Sequence, residues 1–344
     1  MSRRISKKIK VGNIYIGGDA PISVQSMTNR PAHDFDGTLE QVKRLADAGC
    51  DIVRMAVPDE NAAPVFRFLK DAGIKMPLVA DIHFDYRLAL AALRFGADKI
   101  RINPGNIGAG WKVREVADAC GAAGVPIRIG VNSGSLDKEQ LKKYGAPTPE
   151  ALAESALDQA DMLEGMGFGN TVISIKSSHI STACAAARIV ARESSYPLHL
   201  GVTEAGTEYS GIIKNAAAMG SLLVDGIGDT IRVSLTADPV REVIAGREIL
   251  KCLELSEGGI ICITVYRQGD SLFLIVSDNG KGMPANLIRH LLSEDEPEDG
   301  HIGIRSVNKR IRMLYGAPYG LSLNSSQNGT EAIIEIPLKG GALC

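Results

Sequence analysis

Short apolar runs alternate with longer amphipathic stretches from residue 21 to residue 253. The apolar runs are rich in β-branched residues and are bounded by proline or glycine, which predicts buried strands. The amphipathic stretches repeat their apolar positions at helical spacing and predict helices. The predicted strands span residues 21–27, 51–57, 77–83, 99–105, 126–132, 170–178, 197–206 and 230–239. The predicted helices span residues 38–50, 61–73, 86–96, 110–124, 148–167, 181–194, 211–226 and 240–253.

These segments form eight strand–helix units. Alternating strands and helices imply a parallel sheet, and eight units in about 250 residues have the size of a TIM barrel. The alternative is a doubly wound open sheet, but no GxGxxG motif follows the first strand. We therefore predict an α/β fold with a (β/α)8 TIM barrel. Ahead of it, residues 9–17 alternate around Gly12-Asn13, which predicts a hairpin at the bottom of the barrel.

The alternation stops near residue 255, where the pattern becomes that of an α+β segment. Two antiparallel strands are predicted around a turn at residues 268–270, and an acidic loop, a helix and two more strands follow. The last two strands flank Gln327-Asn328-Gly329, a second hairpin signal. We therefore predict two domains, a TIM barrel over residues 1–256 and a small α+β fragment over residues 257–344.

Composition narrows the choice of partners and of compartment. The 344 residues are 45% hydrophobic and 23% charged, with a formal net charge of -2, so no overall field favours nucleic acid or a membrane surface. No apolar run is long enough for a transmembrane helix, and no apolar signal core follows the basic start. We expect a cytoplasmic protein. The six cysteines are scattered without a CxxC pair, so neither a zinc site nor a disulfide framework is indicated.

Polar residues cluster at the carboxyl ends of the predicted strands, where TIM barrels carry their sites. They are Arg54, Asp81, His83, Arg101, Asn103, Arg128, Asn132, Lys176, Ser178, His199, Thr203, Glu204, Arg232 and Ser234. Buried arginines are costly unless an anion or carboxylate meets them, and their forked donors suit phosphate oxygens. So many basic residues favour a diphosphate ligand, whereas structural ion pairs are the alternative for each residue alone. Asp81, His83 and Glu204 are candidates for an acid or base, or for holding the arginines in place.

Seven long motifs resemble the 4-hydroxy-3-methylbut-2-en-1-yl diphosphate synthase family. They are VQSMTN (24–29), VADIHFDYRLAL (79–90), RINPGNIG (101–108), RIGVNSGSL (128–136), YGAPTPEAL (144–152), PLHLGVTEAG (197–206) and DGIGDTIRVSLTADPVRE (225–242). The resemblance covers residues 8–253. It implies an isoprenoid-pathway oxidoreductase of the methylerythritol phosphate route, which reductively opens 2-C-methyl-D-erythritol 2,4-cyclodiphosphate with electrons from ferredoxin or flavodoxin.

The same resemblance implies roles for the polar strand ends. Glu204 would be the acid near the departing C3 hydroxyl. The residues that would hold or lie near the diphosphate are Arg54, Asp81, His83, Arg101, Asn103, Arg128, Asn132, Lys176, Thr203, Arg232 and Ser234. The family is also expected to form a homodimer.

The resemblance ends where the family's iron–sulfur domain should begin. That domain holds a [4Fe–4S] cluster with three cysteines and a glutamate, but no CPxC-like pair follows Cys252 here. Cys262 and Cys344 are far apart and lack the required spacing. We therefore expect the substrate barrel to be present and the cluster ligands to be absent, with no metal site in this chain.

The tail instead resembles the ATP-binding domain of sensor histidine kinases, through VSDNGKGMP (276–284), HIGIRSVNKRIRMLYG (301–316) and the ending NGTEAIIEIPL (328–338). By that resemblance Asp278 would accept from an adenine amino group. Gly280, Gly282 and Gly303 would free the backbone around a nucleotide. The helix that carries the kinase family's magnesium-binding asparagine and its base is missing, so the tail is interpreted as a fragment.

Three hypotheses follow. The first is an enzyme of the diphosphate synthase family that keeps its substrate barrel. The second is a binding or regulatory module whose tail senses ATP. The third is a non-functional, chimeric junction product. Iron content, nucleotide binding to the tail and the genomic DNA across codons 250–262 distinguish them.

Overall fold

The computed structural model describes residues 3–136, 138–177, 179–203, 205–253, 261–280, 282–292, 302–326 and 329–338. The chain divides into two compact units, Met1–Ser256 and Glu257–Cys344. Among the described residues, no helix combines the length and the apolar character needed to cross a bilayer.

Eight parallel strands form the sheet of the first unit and confirm the predicted TIM barrel. They are β3 (Ser23–Met27), β4 (Ile52–Ala56), β5 (Leu78–Asp81), β6 (Lys99–Ile102), β7 (Ile127–Asn132), β8 (Thr171–Lys176), β9 (His199–Leu200) and β10 (Thr230–Ile231). Their order in the sheet is β8-β7-β6-β5-β4-β3-β10-β9. A parallel bridge between Ile173 and Leu198 joins the two outer strands, so the sheet closes on itself.

Helices follow the strands and cover the outside of the barrel. They are α1 (Phe35–Asp47), α2 (Val65–Asp71), α3 (Tyr86–Arg94), α4 (Pro104–Ile107), α5 (Gly110–Ala123), α6 (Lys138–Tyr144), α7 (Pro149–Gly165), α8 (Ile180–Glu193), α9 (Glu208–Val224) and α10 (Pro239–Cys252). Several begin where a side chain satisfies a free backbone N–H, as is typical of helix starts. Asp34 accepts from Gly37 N, Thr148 from Ala151 N and Asp238 from Val240 N.

The last two barrel strands are much shorter than the predicted strands 197–206 and 230–239. Their ladders end because backbone donors beyond them bond to side chains instead of to a neighbouring strand. Val202 N donates to Asn215 Oδ1 at 3.4 Å, and Leu235 N donates to Glu242 Oε1 at 3.0 Å. The segments after β9 and β10 therefore form loops at the mouth of the barrel.

The predicted N-terminal hairpin is formed by β1 (Ile9–Val11) and β2 (Ile14–Ile16), which pair antiparallel. Ile9, Val11 and Ile16 are buried and pack together with side chains from the starts of three barrel strands, namely Ile52, Val79 and Val172. The N-terminal end of the barrel is therefore filled with apolar side chains, which leaves the opposite end for polar chemistry.

The second unit contains a four-stranded antiparallel sheet, as the α+β pattern predicts, and its described residues form two helices where the pattern predicts one. Its strands are β11 (Ile261–Gln268), β12 (Ser271–Asp278), β13 (Gly320–Ser326) and β14 (Gly329–Pro337), in the order β11-β12-β14-β13. Its helices are α11 (Ala285–Leu292) and α12 (Ile302–Tyr315). The turn between β11 and β12 falls at the predicted position, whereas residues 327 and 328 of the second hairpin lie outside the described residues.

Candidate active site

Basic side chains from four strands lie inside the barrel. Strand side chains alternate, so every second residue of a barrel strand points inward. Arg101 on β6 is in register with Arg128 on β7, and Lys176 lies at the end of β8. Arg54 on β4 shares this interior, and these four side chains are all buried. The structure therefore brings together the basic residues that the sequence places at separate strand ends.

Asp81 is the carboxylate at the centre of this group. One of its oxygens lies 3.2 Å from Nη1 of Arg101, and the other lies 3.6 Å from Nε of Arg54. His83 Nε2 lies 3.7 Å from the same carboxylate. Burial raises the pKa of Asp81, but the nearby Arg54, Arg101 and Arg128 outweigh it, so the pKa lies below its ordinary value. Asp81 is therefore ionised and holds two arginines in position.

Arg232 has its own carboxylate partner, Glu242 on α10. Arg232 Nη2 lies 3.2 Å from Glu242 Oε1, and the same carboxylate accepts hydrogen bonds from Ser26 Oγ at 3.1 Å and from Leu235 N. The sequence pattern does not reveal Glu242 as a site residue, because it lies on a helix rather than at a strand end. Its contacts with β3 and with the loop after β10 show that it fixes the loop that carries Arg232.

Arg128 and Lys176 differ from these paired arginines. Arg128 is 1% exposed, and its Nε and Nη1 have no hydrogen-bond partner among the described residues. Lys176 makes no ion pair with any described carboxylate, and it is 7% exposed at the end of its strand. Burial and the surrounding arginines lower the pKa of Lys176 below its ordinary value. A buried arginine or lysine without a carboxylate partner among the described residues favours an anionic ligand at this place.

Gly130 on β7 leaves the space that Arg101 occupies. A Cβ atom at this position would lie 2.6 Å from Nε of Arg101, which is closer than real Cβ contacts. The backbone of Gly130 is not in the left-handed region, so the requirement for glycine comes from space alone. The guanidinium therefore lies across the neighbouring strand, over the interior of the barrel.

The remaining predicted barrel residues have more varied positions. His83 lies at the rim, where its side chain is 54% exposed. Asn103 Oδ1 accepts a hydrogen bond from Gly105 N at 3.1 Å and caps the start of α4, so its amide oxygen has a structural role. Asn132 ends β7, and Thr203 and Ser234 are half-buried in the loops beyond β9 and β10. Glu204 and Ser178 lie outside the described residues.

Three further polar residues on the interior face are not among the predicted diphosphate-binding residues. Gln25, Lys99 and His199 are almost completely buried, and polar atoms of each lack a partner among the described residues. The sequence does carry a signal for Lys99. It stands two residues before Arg101 on β6, so strand alternation places both side chains on the same face.

The predicted nucleotide residues of the tail are spread over three segments. Asp278 ends β12 and is exposed, and its Oδ1 accepts from Gly280 N at 2.7 Å. Gly282 has a φ of +70° beside the backbone of Ser326, and Gly303 lies in the first turn of α12. Asp278 thus shapes its own turn in this structure.

The described cysteines do not fit an iron–sulfur cluster. Cys50, Cys120 and Cys184 are buried at separate places in the barrel. Burial raises the pKa of Cys50 and of Cys120 to about 12, which disfavours the thiolate that iron requires. Cys252 and Cys262 are exposed, and Cys344 lies outside the described residues. Within the described part of the chain, no group of three or more His, Cys, Asp or Glu side chains is arranged to hold a metal ion.

Sequence comparison links the barrel to one family. The GcpE TIM-barrel domain matches residues 6–247. The 4-hydroxy-3-methylbut-2-en-1-yl diphosphate synthase (flavodoxin) of Clostridium perfringens is 56% identical over 260 residues, which cover 76% of this chain and 74% of that protein. The synthase of the same name from Caldicellulosiruptor saccharolyticus is 53% identical over 276 residues, or 80% of this chain and 79% of that protein.

Solved structures resemble the barrel in fold alone. Dihydropteroate synthase from Xanthomonas albilineans has a TM-score of 0.53 at 16% identity and covers 72% of this chain and 98% of its own. The dihydropteroate synthase of Thermus thermophilus has a TM-score of 0.52 at 16% identity and covers 73% of this chain and 100% of its own. A histidine kinase catalytic domain covers 24% of this chain and 54% of its own, at 24% identity and a TM-score of 0.21, which supports no argument about the tail.

Proposed function

Because the chain belongs to the GcpE TIM-barrel family, we propose that its barrel binds 2-C-methyl-D-erythritol 2,4-cyclodiphosphate as a 4-hydroxy-3-methylbut-2-en-1-yl diphosphate synthase does. The observation that carries this proposal is that Arg128 and Lys176, both buried inside the barrel, have no carboxylate partner among the described residues. A cyclic diphosphate brings two negative charges to this place and satisfies the donors of both residues.

The arginines that already have partners act as a preorganised frame. Asp81 holds Arg54 and Arg101, and Glu242 holds Arg232, so these side chains do not need to reorganise when a ligand arrives. Preorganised donors lose less freedom on binding. His83 at the rim, with Asn132, Thr203 and Ser234, is assigned to the edge of the ligand.

Glu204 is proposed as the acid for the departing C3 hydroxyl of the substrate. The reason is the PLHLGVTEAG motif at residues 197–206, through which the chain resembles the synthase family and in which Glu204 is the acidic residue. A carboxylic acid is a group that can protonate a leaving hydroxyl.

No reductive step is assigned to the described residues. The family chemistry opens the ring with two electrons, and the relatives carry flavodoxin in their name. Side chains alone do not deliver them, and the described thiols do not fit an iron–sulfur cluster. We therefore propose that this chain by itself binds the cyclic diphosphate without reducing it, and that a ferredoxin or flavodoxin acts only where cluster ligands are supplied.

A homodimer is proposed through the outer face of α9 and α10. A groove of about 430 Å³ runs between these helices, lined by apolar side chains that include Ile212, Ile244 and Ile249. Ile244 and the neighbouring Ile213 are exposed, and the ion pair between Glu208 and Arg241 borders the groove. An apolar centre with a charged rim is typical of an interface between proteins.

The tail is proposed as a kinase-like fragment, and a nucleotide-binding role is the alternative function. Its support is the motif around Asp278 together with a four-stranded antiparallel sheet and two helices. Equilibrium dialysis of ATP against the full chain, with and without Mg²⁺, tests this alternative. Retention of ATP that Asp278→Asn abolishes would establish nucleotide binding, and no retention would leave the barrel as the functional part.

Isothermal titration of the cyclic diphosphate into the full chain tests the main proposal. We expect one site, and we expect Arg128→Met to weaken it. After anaerobic incubation with iron and sulfide, we expect no cluster absorbance and no product with a chemical reductant. Absence of binding would overturn the substrate assignment, whereas cluster formation with turnover would overturn the assignment of the tail.

A further inference from the structure

A second layer of buried polar side chains lies below the arginines that surround Asp81. Lys99 on β6 is in register with Val79, whose side chain packs on the hairpin that fills the bottom of the barrel. Arg101 follows two residues later, closer to the mouth. Lys99 is 0% exposed, and its Nζ has no hydrogen-bond partner among the described residues. An ammonium group that is fully buried without a described partner has little to stabilise its charge.

The charged and titratable groups of the barrel interior are mostly basic, and Arg128 and Arg54 are the charges that act on Lys99. Each strand from β4 to β10, or the loop that follows it, contributes one charged or titratable side chain. In chain order they are Arg54, Asp81, Arg101, Arg128, Lys176, His199 and Arg232, and Arg101 lies on the same strand as Lys99. Glu242 on α10 is held by Arg232, and β3 contributes the uncharged Gln25. Among the described residues, only Asp81 and Glu242 offset these positive charges, and both already contact arginines.

Arginine stays protonated in proteins, and the described carboxylates Asp81 and Glu242 are paired with arginines, so a lysine or a histidine is the group that can gain a proton here. Burial, and then Arg128 and Arg54, lower the pKa of Lys99 well below its ordinary value. Burial also lowers the pKa of Lys176, which ends β8 and is 7% exposed, so a Lys99→Met variant is needed to tell the two lysines apart. His199 starts from a much lower ordinary pKa, and burial lowers its pKa further, so protonating its ring near neutral pH costs more.

We propose that Lys99 is uncharged in the empty barrel and takes up one proton when a diphosphate binds above it. The inference rests on the proposed function, because the diphosphate supplies the negative charge that makes the ammonium favourable. No covalent bond to carbon or phosphorus changes in this step, and the proton comes from the buffer acid. Each phosphorus atom of the cyclic diphosphate carries a single strongly acidic hydroxyl, so the ligand itself releases and takes up no proton near neutral pH.

The test is calorimetric titration of the full chain with 2-C-methyl-D-erythritol 2,4-cyclodiphosphate in buffers that differ in ionisation enthalpy. The dependence of the observed heat on buffer ionisation enthalpy gives the number of protons bound. We expect about one proton for the wild type and about none for Lys99→Met, whose side chain has a similar length and no charge. The matched control is His199→Gln, which should retain the uptake. The dissociation constant of the wild type should rise by up to about tenfold per pH unit as the pH increases, and that of Lys99→Met should not.

Several outcomes would overturn the inference. Uptake that persists in Lys99→Met, or that disappears in His199→Gln, would assign the proton to another group. Binding of the diphosphate without proton uptake would also overturn the inference. If chloride weakens that binding at constant ionic strength, a small anion already neutralises the buried side chains around Lys99. If Lys99→Met does not fold, Lys99→Gln is titrated in the same buffers, and proton uptake that persists in it overturns the inference. No binding at all would instead refute the proposed function, which is a separate result from binding without a proton.

Discussion

Replacing Asp81 with asparagine keeps the shape of the side chain and removes its charge. The carboxylate contacts Arg101 at 3.2 Å and Arg54 at 3.6 Å, and its side chain is 4% exposed. Removing one member of a buried ion pair costs about 3–5 kcal/mol, because the remaining charge stays buried without compensation. We therefore expect Asp81→Asn to lower the free energy of unfolding of the barrel by about this amount.

Urea unfolding monitored by tryptophan fluorescence, with excitation at a wavelength that tyrosine does not absorb, measures this loss in the barrel, because the single tryptophan of the chain is Trp111 on α5. With a denaturant slope of about 3 kcal/mol per molar, the unfolding midpoint should fall by on the order of 1 M. The control is Asp225→Asn, which breaks an exposed pair with Arg188 and should cost no more than about 1 kcal/mol. A midpoint for Asp81→Asn within the range of this control would refute the reasoning.

The pH dependence gives a second check on Asp81. Its pKa is lower in the folded protein than in the unfolded chain, so its stabilising effect is complete above the unfolded pKa of about 3.9 and is lost as the pH falls through the folded value. The stability difference between wild type and Asp81→Asn should therefore be constant from pH 7 to pH 5. It should shrink below about pH 4, and a difference that grows on acidification would contradict the assignment.

Three further changes probe the mouth of the barrel. Arg128→Met should weaken binding of the cyclic diphosphate by about 1–3 kcal/mol in calorimetric titration, the cost of a charge-assisted contact, and unchanged affinity would remove the basis of the diphosphate assignment. Gly130→Ala should weaken binding at least about tenfold, a change of about 1.4 kcal/mol, because the methyl group displaces Arg101, whereas Gly134→Ala, with open space around its Cβ position, should not. Glu242→Gln should weaken binding of the cyclic diphosphate through Arg232 and should also lower the unfolding midpoint, since Arg232 loses a buried partner. If neither the affinity nor the midpoint changes, Glu242 does not fix the loop that carries Arg232.

Strand alternation is enough to predict much of this site from the sequence. A period of two places Arg101 and Arg128 on the interior face of their strands, and a TIM barrel brings the ends of all strands to one opening. Glu242 cannot be found in this way, because its contact with Arg232 depends on how the start of α10 meets the loop after β10. Asn103 shows the opposite case, since a residue selected for ligand contact also caps a short helix.

Strand length is less predictable from the sequence. The run from 197 to 206 contains enough β-branched and apolar residues for a long strand, yet only His199 and Leu200 pair as one. The cause is the side chain of Asn215, which takes the donor that a continuing ladder would use. Competition of this kind between side chains and a ladder is set by tertiary contacts, so local pattern does not reveal it.

The N-terminal hairpin has a kinetic consequence. Because its apolar side chains fill one end of the barrel, anything that enters the interior has to leave through the opening by which it came. Substrate binding and product release therefore use the same opening, and a product molecule that is still bound prevents the next substrate molecule from entering. In steady-state measurements with cluster ligands and an electron donor supplied, the product 4-hydroxy-3-methylbut-2-en-1-yl diphosphate should accordingly be a competitive inhibitor with respect to the cyclic substrate.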